Sequence, residues 1–172
     1  MMNRIDEFNS TMMAAHTMVW TLRNEIGAVW PTPDVQDSLR FAMTEAAEAM
    51  DAFLTAKQQY VRNNPDDKHA DIPGEAADCA MMLLTALGEH YWFEDIVSSQ
   101  VASVDWLCYH VAQANVRLNE LPGAYPRFDE FKEILNALST IDALCNGSFL
   151  LHLQRRLSRI RNKHIGATLP TE

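Results

Sequence analysis

Glycine and proline number only 6 and 7 in this chain of 172 residues, and they fall in clusters instead of being spread along it. These residues are the strongest local breakers of regular structure, so the unbroken stretches between clusters limit what the chain can become. Each stretch is long enough for a helix, and none shows the strict apolar–polar alternation of a half-buried strand. The first, about Arg4 to Val29, stops at Pro31-Thr32-Pro33, where Asp34 is placed to cap a second helix reaching about Val61. Past the polar run Asn63-Asn64-Pro65-Asp66-Asp67-Lys68, a third helix is predicted from Asp71-Ile72-Pro73 to about Tyr91, with its proline in the tolerant first turn. Three more follow, at about Ser98 to Asn119, Phe128 to Cys145 and Ser148 to His164, parted by Leu121-Pro122-Gly123 and by Asn146-Gly147. The chain is therefore predicted to be all-α, a compact bundle of five or six helices forming one domain over residues 1–172.

The composition, 48% hydrophobic and 22% charged, suits a chain that buries its own core. Cys79, Cys108 and Cys145 each lie in an apolar stretch without a Cys-x-x-Cys spacing, which fits reduced thiols and a cytoplasmic location. The opening residues do not read as a signal peptide, and no run approaches the roughly 18 consecutive apolar residues of a membrane span. A net charge of −9 repels polyphosphate backbones at long range, so a nucleic-acid polymer is not an expected partner. A nucleotide arriving with a divalent metal is compatible with that charge.

Two acid pairs carry the chemistry. Glu45 and Glu48 stand at i and i+3 in the second helix, and Glu75 and Asp78 repeat that spacing at the opening of the third. Residues three apart share a helix face, so two adjacent helices can aim all four carboxylates at one point. Two bare carboxylates about 4 Å apart repel by roughly 1 kcal/mol in water and about 4 kcal/mol at an effective dielectric of 20. A hard cation reverses that sign, and carboxylate oxygens suit Mg²⁺, with Mn²⁺ as its substitute.

Solvated acids are the ordinary reading of a lone Glu-x-x-Glu, because Glu favours helices and is mostly exposed. The surroundings argue otherwise here. Glu45 has Phe41 and Ala49 at helical spacing instead of a cation, and Ala76 to Leu84 is apolar nearly all round apart from Asp78. No Lys or Arg occurs between Lys68 and Arg117, so Glu75 and Asp78 are predicted to lack a local cationic partner. Helix-dipole compensation accounts for Glu75 in a first turn but not for Asp78.

Glu45-x-x-Glu48, a gap of 26 residues, and Glu75-x-x-Asp78 at the head of an apolar helix together resemble the signature of the all-α nucleoside triphosphate pyrophosphohydrolases. These are the MazG-like enzymes with their dimeric dUTPase and dCTP pyrophosphatase relatives. The resemblance covers about Trp30 to Trp92, roughly a third of the chain, and includes Glu48-Ala49-Met50-Asp51-Ala52. It implies a four-helix core of that type, Mg²⁺ held by Glu45, Glu48, Glu75 and Asp78, and a homodimer or homotetramer. One departure is Thr44, where MazG-like members often carry an additional Glu before the first motif acid.

The implied reaction is attack of water at the α–β anhydride of a nucleoside triphosphate, giving monophosphate and pyrophosphate. Glu45 or Glu48 would be the general base, an alternative the residues leave open. Substrate contacts are sought in the last helix, at the basic Arg159 and Lys163 and at Asn162, as the closing helices of the family imply, and beyond the first acid pair at Lys57 and Arg62. The other basic residues of that helix, Arg155, Arg156 and Arg161, read as complements to its dipole. Trp30, beside Pro31, is the favoured surface for the base, with Trp20 and Phe41 as further aromatics nearby. His-Glu-x-x-His, Glu-x-x-His, a glycine-rich phosphate loop and Gly-x-Ser-x-Gly are all absent. The rival reading is a non-catalytic bundle whose acids form a structural metal site and whose surface binds a protein or nucleotide.

Overall fold

A computed structural model describes residues 4–62, 71–93, 101–119 and 128–165. Its six helices are α1 (Arg4–Ile26), α2 (Val35–Arg62), α3 (Ile72–Ala86), α4 (Val104–Asn119), α5 (Phe128–Leu144) and α6 (Phe149–Ile165). No strand occurs among the described residues.

The apolar character of α3 places it at the centre. From Cys79 to Ala86 every residue is buried, and the helix packs against α1, α2, α5 and α6. Its largest interface is with α2, where Ala42, Ala46 and Ala49 are buried at helical spacing. Side chains this small let two backbones approach closely without leaving voids. The thiol of Cys79 donates to the carbonyl of Ala42 at 3.4 Å, and that of Cys108 on α4 to Ala46 at 3.4 Å. Reduced cysteines thus serve as small apolar residues with a weak donor. One buried cluster draws on all six helices, from Phe8 and Met12 of α1 to Phe149, Leu153 and Leu157 of α6. No single helix among the described residues is long and apolar enough to cross a membrane.

Asp34 caps α2 as the sequence predicts, accepting a hydrogen bond from the backbone N–H of Asp37 at 2.8 Å. Asp34→Ala is expected to cost about 1 kcal/mol. Thermal unfolding should then show a midpoint lower by about 2–4 °C for a chain of this size. An unchanged midpoint would mean that water replaces the cap without loss.

Two helices end earlier than predicted. α1 stops at Ile26, where Val29 and Trp30 both donate to its carbonyl and turn the chain toward Pro31. α3 stops at Ala86 instead of Tyr91, because Gly88 takes φ +81, a conformation open to glycine that breaks the helical path. The residues after it then run back along α1, with Phe93 buried against His16. α4 begins at Val104, capped by the hydroxyl of Ser103. The predicted start at Ser98 lies outside the described residues.

Candidate active site

Because α2 packs along α3, the two acid pairs meet. One carboxylate oxygen from each of Glu45, Glu48 and Glu75 lies within 4.8 Å of the others. Asp78 joins the same region one turn further along α3 and stands beside this triad. Oxygens bound to one ion at 2.0–2.1 Å lie about 3–4 Å apart, so the three carboxylates would have to draw closer by small side-chain rotations to hold one Mg²⁺. An all-oxygen donor set fits a hard cation of that kind.

The electrostatics follow from burial and crowding. Desolvation, reinforced by Asp78, Glu48 and Glu75 and partly offset by Arg156, raises Glu45 to about 7. Burial likewise raises Asp78 to about 6, with Arg156 opposing it and Glu75 and Glu48 adding to it.

The missing local cation comes from the far end of the sequence. Arg156 on α6 reaches Glu75 at 3.0 Å, Asp78 at 3.3 Å and Asp71 at 3.6 Å. The partner is not local, as the sequence predicts, but Glu75 and Asp78 are not left unpaired, and Arg156 is more than a complement to the dipole of its own helix. A helical stripe of buried or half-buried residues, Phe149, Leu153, Leu157 and Ile160, turns Arg156 inward. That periodicity is the signal through which the sequence could have identified it. Gly74 makes room: a Cβ there would stand 2.6 Å from Nη2 of Arg156 and would also strike the Asp71 carboxylate.

Two of the four acids, Glu45 and Asp78, border a cavity of about 470 Å³. Glu45 and Asp78 share its lining with Arg156, Arg159 and Lys163, and with an apolar wall that includes Trp30, Phe41, Met81, Met82 and Ile160. Of the residues named from the sequence, Trp30, Arg159 and Lys163 therefore line the same cavity as Glu45 and Asp78. Asn162 is exposed and outside the lining, and Lys57 lies about 18 Å along α2 from Glu45. The side chain of Arg62 lies outside the described residues. Arg161 instead ties α6 to Glu25 of α1.

Trp30 is already engaged. Its ring is stacked on His164 at 5.0 Å and 5°, and the guanidinium of Arg23 lies 4.3 Å from its centroid. Arg23 is only 2% exposed, and burial lowers its pKa to about 10. It donates to the Thr85 hydroxyl at 3.3 Å, while its Nη1 has no hydrogen-bond partner among the described residues. Phe41, at 53% exposure, offers the cavity a more open aromatic surface. Trp20 instead donates its indole N–H to the carbonyl of Leu84 and is not part of the lining.

The raised pKa of Glu45 has a direct consequence for the metal-free chain. Its ordinary value is 4.5 and its folded value about 7, so the unfolded chain releases this proton first as pH rises. Stability contributed by the protonated form is full below about 4.5 and is lost as pH rises to about 7. With a chelator present, the wild-type chain is expected to lose about 1–2 kcal/mol relative to Glu45→Gln between pH 5 and pH 7.5. Parallel stability–pH curves from denaturant unfolding would remove this assignment.

Comparison with protein-family models, curated proteins and solved structures finds no match for this chain.

Proposed function

We propose that the chain is a Mg²⁺-dependent nucleoside triphosphate pyrophosphohydrolase acting on a deoxynucleotide or a non-canonical nucleotide. The observation that carries the reading is one cavity lined at once by the acids Glu45 and Asp78, by the cations Arg156, Arg159 and Lys163, and by an apolar, aromatic wall. A nucleoside triphosphate has matching parts: a metal-chelating polyphosphate, oxygens for Arg159 and Lys163, and a flat base for Phe41 and the Trp30 wall.

Bound Mg²⁺ would neutralise the triphosphate and make a water molecule easier to deprotonate. Glu45, half-buried and facing the cavity, is better placed than exposed Glu48 to accept that proton. The water oxygen bonds to phosphorus at the α–β anhydride, the bridging P–O bond breaks, and pyrophosphate leaves. Arg159 and Lys163 would hold the phosphate oxygens while the apolar wall shields the anhydride from bulk water. Exposed Met43, Trp106, Tyr109 and Val116 on α2 and α4 support assembly as a homodimer or homotetramer.

The test is incubation with a panel of canonical and modified ribo- and deoxyribonucleoside triphosphates plus Mg²⁺ or Mn²⁺. Monophosphate and pyrophosphate must be resolved from diphosphate and phosphate. Monophosphate plus pyrophosphate from one or a few members is the expected result. No turnover, with a metal-dependent rise in melting temperature, would favour the non-catalytic metal-binding bundle.

A further inference from the structure

Arg156 sits where a helix disfavours a cation. The first turn of α3 carries the positive end of the helix dipole. The guanidinium nevertheless lies there with 17% of its side chain exposed, held by Asp71, Glu75 and Asp78. Gly74 leaves it the space. An arginine used only to join α6 to α3 would need neither that glycine nor three acids.

Glu75 belongs to two sets at once. One of its oxygens falls within the carboxylate triad, and its Oε1 accepts from Arg156 at 3.0 Å. A divalent ion drawing in Glu75 therefore competes with the guanidinium. Arg156 also lines the cavity beside Arg159 and Lys163, so a released guanidinium has an anion-binding space to enter. Its planar fork matches phosphate oxygens in a bidentate way that an ammonium does not.

We propose that Arg156 is a resident counter-cation, giving up Glu75 and Asp78 to the divalent ion and turning to a polyphosphate in the cavity, so that the two binding events are coupled. This rests on the metal-dependent reading above. Arg156 is thus a positioning residue in the free protein and a phosphate ligand in the loaded one.

The full chain, Arg156→Gln and Arg156→Lys are compared in two titrations, after circular dichroism melts establish that each is folded. Mn²⁺ alone is followed by loss of the free-ion paramagnetic resonance signal, and inorganic tripolyphosphate is titrated calorimetrically in excess Mg²⁺. Arg156→Gln should bind Mn²⁺ about tenfold tighter, because the competitor is gone, yet bind tripolyphosphate about 10–100-fold more weakly. Opposite signs are the signature, since a purely structural clamp lowers both together. Arg156→Lys keeps the charge without the fork and should weaken tripolyphosphate binding while leaving Mn²⁺ binding equal or tighter. It carries the test if the Gln variant does not fold. Wild-type chain that binds no Mn²⁺ overturns both this exchange and the metal-dependent function. Wild type that binds both probes, with variants moving neither or moving both in one direction, overturns the exchange alone.

Discussion

Glu48→Gln is expected to reduce pyrophosphate release by about 10²–10³-fold or more, the scale of losing one charge-stabilising group at a reacting centre. Gln keeps the shape of Glu and removes the charge that draws in the cation. Glu48 is exposed, so the substitution leaves no cavity in the core. In the metal-free chain it removes repulsion from Glu45 and Glu75, whose oxygens lie within 4.8 Å. At that separation each pair repels by about 1 kcal/mol at the dielectric of water, so the melting temperature without metal should be unchanged or higher. Saturating Mg²⁺ should then raise it less than in wild type, because the stabilisation scales with the affinity lost. The decisive comparison is turnover beside melting curves with and without metal. Full turnover in Glu48→Gln would remove Glu48 from the reaction. Lower stability at saturating metal, with no turnover in the wild type to lose, would leave a structural metal site.

The second large effect is expected at a residue that touches no substrate. In Gly74→Ala the new Cβ would stand 2.6 Å from the Arg156 guanidinium and would also strike the Asp71 carboxylate. Asp71 caps α3 by accepting from the N–H of Gly74 at 3.1 Å, so one methyl group disturbs the cap and the ion-pair network together. Loss of the cap costs about 1 kcal/mol, and disturbing the half-buried Arg156 network adds a similar or larger amount. Alanine otherwise favours a helix over glycine by about 1 kcal/mol, which offsets part of the loss. A net cost of about 1–2 kcal/mol, or about 2–8 °C in melting temperature, is expected. Activity should fall further than stability accounts for, since the new Cβ pushes Arg156 from the position from which it would turn to the polyphosphate. A variant as stable as wild type would show that Asp71 and Arg156 move aside freely, and that Gly74 is not needed for the guanidinium.

The helical character of the chain is legible without coordinates, because Gly and Pro clusters and the apolar sweep of residues 76–84 act over a few residues. Helix ends are less legible where one conformation decides them. Gly88 at φ +81 ends α3 five residues before the predicted limit at Tyr91. The i, i+3 spacing of each acid pair is likewise a local property, and it predicts that Glu45, Glu48, Glu75 and Asp78 can converge.

Convergence between α2 and α3 depends on their packing, and the cation that meets the acids depends on contacts much further apart in sequence. Arg156 lies 81 residues from Glu75, and within the basic run of α6 only the apolar stripe at helical spacing separates it from Arg155. Only the burial of Phe149, Leu153 and Leu157 against the core turns one arginine inward and leaves the other exposed. The same rotation brings Arg159 and Lys163 to the cavity and keeps Asn162 out of its lining. Trp30 is a similar case: its identity marks it as a surface for a flat ring, while the folded chain engages that ring with His164 and Arg23. The helices and the spacing of the acids follow from the order of residues, because propensity, breakers and helical pitch are short-range. Tertiary structure alone decided which charges share a low-dielectric space, because that depends on which faces of distant helices are driven together to bury their apolar stripes.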